Sequence, residues 1–180
     1  GCDGWRVKTH AAGVEIWSQN SWSTLNDWAW HTLTAVFDFK NKKFIQYKDG
    51  RSDLHSDDPY KDFSRNLATG DRAPFTVGQK IFNSSTSGTT NYITNVQIYN
   101  VALPPEFIAK NYKLTGLDEL GEDYPYWDNL IGYWPSDREE DFKSKVIPDY
   151  SKYGSVFGGI NAGRSDMKLS DNAVWESGTV

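Results

Sequence analysis

"NYITNVQIYNVALPPEFIAKNY", residues 91 to 112, changes its hydrophobic period half-way along. In the first half Val96 and Ile98 share a face with Tyr92, the period-2 alternation of a half-buried strand. After Leu103 the apolar residues Phe107, Ile108 and Tyr112 recur at helical spacing. Pro104 and Pro105 suit a first helical turn, where an N–H would be unpaired anyway, and Glu106 suits the positive helix end. The stretch predicts a strand that runs into one helix of about two turns.

On both sides of it β signals dominate. "GWRVKTH" (4 to 10) puts Trp5, Val7 and Thr9 on one face and Arg6, Lys8 and His10 on the other. After the "AAG" turn, "VEIWSQ" puts Val14 and Ile16 inward and Glu15, Trp17 and Gln19 outward, so residues 4 to 19 are expected to form a hairpin. "NSWSTLNDWA" (20 to 29) reads as a polar loop. Trp30 to Phe39 predict a strand with Trp30 in the core, "KNKK" a turn, and Phe44 to Lys48 a strand closed by Asp49-Gly50. Asp-Gly is a strong turn signal because Gly accepts positive φ without a steric penalty. Residues 51 to 73 are polar and irregular, longer than a hairpin connection and of a size that is often functional. "PFTVGQKIF" (74 to 82) reads as a strand and "NSSTSGTT" (83 to 90) as a flexible turn. Residues 115 to 129 are acidic and turn-rich, the character of a linker, and "LIGYW", "SVFGGI", "MKL" and "AVW" then return to β signals.

Composition agrees. Aromatics make up 15% of the 180 residues while Met appears once, which favours an all-β chain. That length suits one domain, two small ones at the outer limit, and hides roughly 70% of its unfolded surface. The net charge of −5, with basic residues scattered, argues against nucleic acid, which takes clustered Lys and Arg. No apolar run approaches the ~18 residues of a span, so no membrane insertion is expected of this segment. Cys2 is the sole cysteine, which excludes an internal disulfide and a cysteine zinc site. Its place near the start also fits a lipid-modified terminus, against which strand-like sequence follows at once.

Three groups of residues carry a resemblance. Trp30-His31 opens a strand, Tyr47-Lys48-Asp49-Gly50 ends a hairpin, and Ile93, Val96, Ile98, Tyr99, Asn100, Ala102 and Leu103 fall in one order before the helix. Residues 30 to 112 thereby resemble the concanavalin A-like jelly roll of the laminin G-like kind, found in Bacteroidetes surface proteins. The resemblance implies an all-β, two-sheet antiparallel jelly-roll sandwich with one short helix. The family's usual opening, "L-x-G-Y-W-x-x-D" and then "D-x-S-x-x-G", stands near the other end: Leu130, Gly132, Tyr133, Trp134 and Asp137, then Asp149, Ser151 and Gly154. Residues 1 to 114 are therefore read as a laminin G-like sandwich, 115 to 129 as a linker and 130 to 180 as a C-terminal β segment. Three arrangements stay open: a permuted sandwich completed by that segment, a separate small β module, or a chain truncated inside two domains. The first is favoured because an unpaired sheet edge invites aggregation.

For chemistry, the E-x-D-x-x-E strand of glycosidases with this fold is missing, and "DREED" (137 to 141) has the residue types at the wrong spacing, in what reads as a solvated loop. His10, His31 and His55 stand isolated, with packing expected for His31, so no enzyme is expected. Flat, part-exposed rings stack on sugar faces while amides and carboxylates bond the hydroxyls. Trp17, Trp22, Trp28 and Tyr60, with Gln19, Asn20 and Asp27, are the candidate ligand-binding residues. No cofactor is expected, although Asp53, Asp57 and Asp58 offer a loop to calcium. The resemblance implies a non-catalytic accessory binding module of a larger surface or secreted protein, its partner a glycan; the alternatives are a protein-binding adhesive or structural module and, behind it, a glycan-cleaving enzyme of the same fold.

Overall fold

Strands in small antiparallel sheets, with two short helices, make up most of what is regular here. The computed structural model describes residues 8–11, 14–17, 27, 29–38, 40–41, 43–52, 77, 79–82, 85–88, 92–113, 123–160, 163, 165–171 and 173–175. The chain divides into two units, Gly1–Pro74 with Val101–Lys113, and Phe75–Asn100 with Leu114–Val180.

In the first unit β1 (Lys8–Ala11) pairs antiparallel with β2 (Val14–Trp17), Ala11 facing Val14, so the expected hairpin is present. β3 (Leu33–Asp38), β4 (Lys43–Lys48) and β5 (Arg51–Ser52) form a meander in which Val36 faces Ile45 and Lys48 faces Arg51. Asp49 and Gly50, between β4 and β5, have φ of 50° and 74°. Two successive left-handed residues are what a type I′ hairpin turn requires. A Cβ on Gly50 would also stand 2.6 Å from the Tyr112 ring and 3.0 Å from the Ala109 backbone.

The helix α1 (Pro105–Asn111) starts where the prolines predict, and the Phe107 and Ile108 N–H groups donate to the Pro104 carbonyl. It buries Ile108 against Val36 and Tyr47, with Ile45, Ala102 and Leu103 packed around them. That cluster is the described core of the unit.

The expected strand from Trp30 begins only at Leu33, and Trp30 is 46% exposed rather than in the core. The reason is local. The Thr32 N–H donates to the Asp49 carboxylate at 2.9 Å instead of to a strand, so the alternation that buries Val36 does not extend back to residue 30.

In the second unit β6 (Gln79–Phe82) pairs with β7 (Ser85–Gly88), so part of the stretch read as a flexible turn is a strand. Phe82 faces Ser85 and Gln79 faces Gly88 across the pair. β8 (Val96–Tyr99) takes as partner β9 (Leu130–Trp134), with a register shift between Ile98 and Tyr99. The Asn95–Pro135 and Asn100–Asn129 backbone hydrogen bonds, both 3.0 Å, extend the ladder at each end.

Trp127, in a single 3-10 turn (Trp127–Asn129), is buried with Leu130, Tyr133 and Tyr150, and Tyr99 and Tyr124 pack on them. Of the stretch read as a linker, residues 123 to 129 are thus ordered chain that supplies a core ring. Trp134 is buried, and its indole N–H donates to the Ser165 carbonyl.

Residues 139 to 141 of "DREED" open α2 (Glu139–Ser144) rather than forming a loop, and three acidic residues suit a helix's first turn. Glu139 and Glu140 are exposed while Asp141 is buried, and its carboxyl sits above the usual range, first by burial and then by repulsion from Glu140. α2 ends at Lys145, whose ammonium donates to the Ala173 carbonyl. β10 (Val146–Ile147) then pairs with β11 (Met167–Lys168).

The "D-x-S-x-x-G" turn is built around Asp149. Its Oδ1 accepts from the Tyr133 N–H at 2.9 Å and from the Ser151 N–H at 2.8 Å, all three groups being buried. Gly154 lies directly against that side chain, where no Cβ would fit.

Two substitutions check this packing. Leu130→Ala, at a fully buried side chain, should cost about 2–5 kcal/mol in urea unfolding. Asp149→Ala leaves two buried N–H groups without an acceptor and should cost roughly 2–6 kcal/mol at about 1–3 per group. A loss under 1 kcal/mol for both would mean that this core does not hold the unit.

Candidate functional site

The segment between Asp27 and Thr32 in the first unit gathers the charged groups of interest. The ladder sets the geometry: Leu33 faces Lys48, so the next residues outward, Thr32 and Asp49, come together. The Thr32 carbonyl accepts from the Asp49 N–H and the Thr32 N–H donates to Asp49 Oδ1, both at 2.9 Å. The Thr32 hydroxyl donates to the Tyr112 carbonyl at 2.7 Å. Asp49 Oδ2 is thereby aimed at His31 Nδ1, 2.8 Å away.

On its other edge His31 Nε2 lies 2.9 and 3.0 Å from the two carboxylate oxygens of Asp27, one helical turn's worth of sequence earlier. Asp27 Oδ1 also accepts the Ala29 N–H at 3.1 Å. A neutral imidazole has one N–H, so satisfying a carboxylate on each ring nitrogen calls for the doubly protonated ring. The hydrogen bond to Asp27, then that to Asp49, holds His31 above its ordinary value, against partial burial and the nearby Lys48. The same bond to His31, helped by the Ala29 N–H, holds the Asp27 carboxyl below its ordinary value.

Exposure separates the roles. The His31 side chain is 13% exposed and that of Asp27 is 47%. Beside them Trp30 leaves nearly half its surface in water. A ring of this kind suits the apolar face of a sugar or a flat ligand, and an anchored carboxylate with outward lone pairs suits a hydroxyl donor.

Asp27 is the one candidate ligand residue whose side chain is described. Trp17 ends β2 opposite Lys8, while Gln19, Asn20, Trp22, Trp28 and Tyr60 lie outside the described residues, as do the calcium candidates Asp53, Asp57 and Asp58. Sequence reasoning missed Trp30, assigned to the core, and gave His31 a packing role. The signal for His31 was present as an Asp four residues earlier and an Asp-Gly turn whose register returns Asp49 to the start of β3. Among the described residues no group of three or more His, Cys, Asp or Glu side chains is arranged to hold a metal ion, and no helix is long and apolar enough to cross a membrane.

The chain matches no known family, no curated protein and no solved structure.

Asp49 is the joint of this arrangement. Asp49→Ala removes the acceptor for Thr32 and His31 and forces Ala into positive φ, and should cost roughly 1–3 kcal/mol by urea unfolding at pH 6. Asp49→Asn tolerates that φ and keeps an acceptor, so it should lose less than half as much. Equal losses would contradict the anchoring role.

Proposed function

We propose that the chain is a non-catalytic binding module of a surface or secreted protein, built as a jelly-roll sandwich, that recognises a carbohydrate through the Asp27–His31 segment. The observation that carries this reading is the exposed Trp30 indole next to a carboxylate fixed by His31 and the Ala29 N–H. A stacking platform and an ordered hydroxyl acceptor then stand on one short piece of chain.

The sandwich is supported by the laminin G-like order of residues 93 to 103, by the ladder that joins "VQIY" to "LIGYW", and by the Asp149 turn that follows. That ladder favours the permuted arrangement, in which the C-terminal strands fill the place of first ones. Trp17, Gln19, Asn20, Trp22, Trp28 and Tyr60 remain ligand candidates within this proposal, and calcium at Asp53, Asp57 and Asp58 a dependent feature of it.

The test is a glycan-array screen of the chain, run with calcium and again with chelator, followed by titration of any hit through tryptophan emission. Trp30→Ala should weaken binding about tenfold or more in a chain whose far-ultraviolet circular dichroism and cooperative urea unfolding show that it is still folded. Undiminished affinity in that variant, or a blank array under both conditions, would overturn the assignment.

A second reading, a protein-binding adhesive module, is favoured by Val156, Phe157 and Ile160 of the second unit, whose apolar side chains are 45, 61 and 83% exposed. It predicts capture of a protein partner that free saccharide does not displace and that Ile160→Asp abolishes.

A further inference from the structure

His31 is the only described group that bonds both Asp27 and the Asp49-Gly50 turn, and it does so through opposite edges of one ring. We propose that Asp27, His31 and Asp49 form a proton-operated latch, which fixes the Trp30 segment while His31 carries both ring protons and releases its Asp27 end when one proton leaves to water.

The geometry decides which end opens. The Asp49 carboxylate is locked into the hairpin turn by the Thr32 N–H and is the less exposed of the two, whereas Asp27 opens to water, which can take over its bonds. The single proton of a neutral ring is therefore retained on Nδ1. Nε2 then turns a lone pair toward the Asp27 carboxylate, and attraction becomes repulsion at 2.9 Å. Asp27, the more exposed of the two carboxylates, then turns toward water, and the 3.1 Å bond that it accepts from the Ala29 N–H shifts with it, so the Ala29 amide reports the opening. The charged groups acting on His31 are these two carboxylates and Lys48, whose positive charge opposes protonation and is outweighed by the two hydrogen bonds.

The sign follows from both partners. The contribution of His31 is complete below its ordinary 6.5 and is lost as pH rises through its higher folded midpoint. That of Asp27 is complete above its ordinary 3.8 and is lost as pH falls through its lower folded midpoint. The latch is fully closed between those two ordinary values and opens on the alkaline side. Regulation of the carbohydrate site rests on the function proposed above, whereas the latch itself is measured with no glycan present.

The experiment is a long-range ¹H–¹⁵N NMR titration of the full chain with labelled histidine, from pH 5 to 9, with the backbone amides followed in parallel. His31 is assigned as the imidazole missing from His31→Gln. The expected result is a His31 midpoint above 6.5, both ring nitrogens protonated at pH 6, Nδ1 protonated at pH 9, and an Ala29 amide that moves with the same midpoint. Asp27→Asn and Asp49→Asn should each bring the midpoint down toward 6.5, and in His31→Gln the Ala29 amide should be flat over that range. A His31 midpoint at or below 6.5, an Ala29 amide indifferent to it, or an Ala29 titration that survives in His31→Gln overturns the latch. A blank glycan array leaves this titration readable, and a silent titration leaves the array readable, so the two failures are distinguishable.

Discussion

A backbone N–H taken out of water must find an acceptor, and in both units an aspartate side chain supplies it where the strand ladder does not. In the first unit Asp49 accepts from Thr32 one position beyond the last β3–β4 pair. In the second, Asp149 accepts from Tyr133 and Ser151, and the Tyr150 N–H answers with a bond to the Tyr133 carbonyl at 2.8 Å. Each carboxylate can bond two donors at once, which a backbone carbonyl at a strand end rarely does. The core rings beside them, Tyr47 in one unit and Tyr133 in the other, are placed by strands whose ends these aspartates fix.

The two differ in what else they touch. Asp149 is fully buried in a turn closed by Gly154, so its work ends with the fold. Asp49 is about a third exposed and has a second oxygen to offer, which it gives to His31. The structural device of the first unit thus continues outward, through an imidazole and a second carboxylate, to an exposed surface. That continuity ties the proposed binding segment to the hairpin turn and places it under control of one proton.

What could be read from the sequence follows the range of the interaction. The β1–β2 hairpin, the Asp-Gly turn and the helix at Pro105 depend on neighbours in sequence, and their residue patterns announce them. The β8–β9 ladder joins Val96 to Trp134, and no periodicity in either strand names the other; only the displaced "LIGYW" phrase hinted that it belonged beside an earlier strand. β7 is "STSG", polar throughout, so composition suggested a turn where pairing with β6 makes a strand. Trp30 was misread because alternation was carried past the last ladder pair, and a side-chain acceptor that ends a ladder leaves no hydrophobic signature. Trp127 and Tyr124 were hidden in the acidic stretch 115 to 129, whose overall charge gave no sign of the rings that join the core.

A single exposed aromatic needs no explanation, since much of any protein surface is apolar. Trp30 is set apart by its surroundings. Val156, Phe157 and Ile160 are as exposed, but the Lys152–Asp128 pair and the edge-on contact of Phe157 with Trp127 tie their segment to the core of its own unit and leave no described carboxylate presented beside them. Around Trp30, Asp27 and Asp49 bond opposite edges of the His31 ring, and Asp27 also accepts the Ala29 N–H. Ordering a loop before its ligand arrives removes part of the entropy that binding would otherwise cost, which is how a shallow site gains affinity without more area. Two carboxylates and a histidine fix the chain that carries this half-exposed indole.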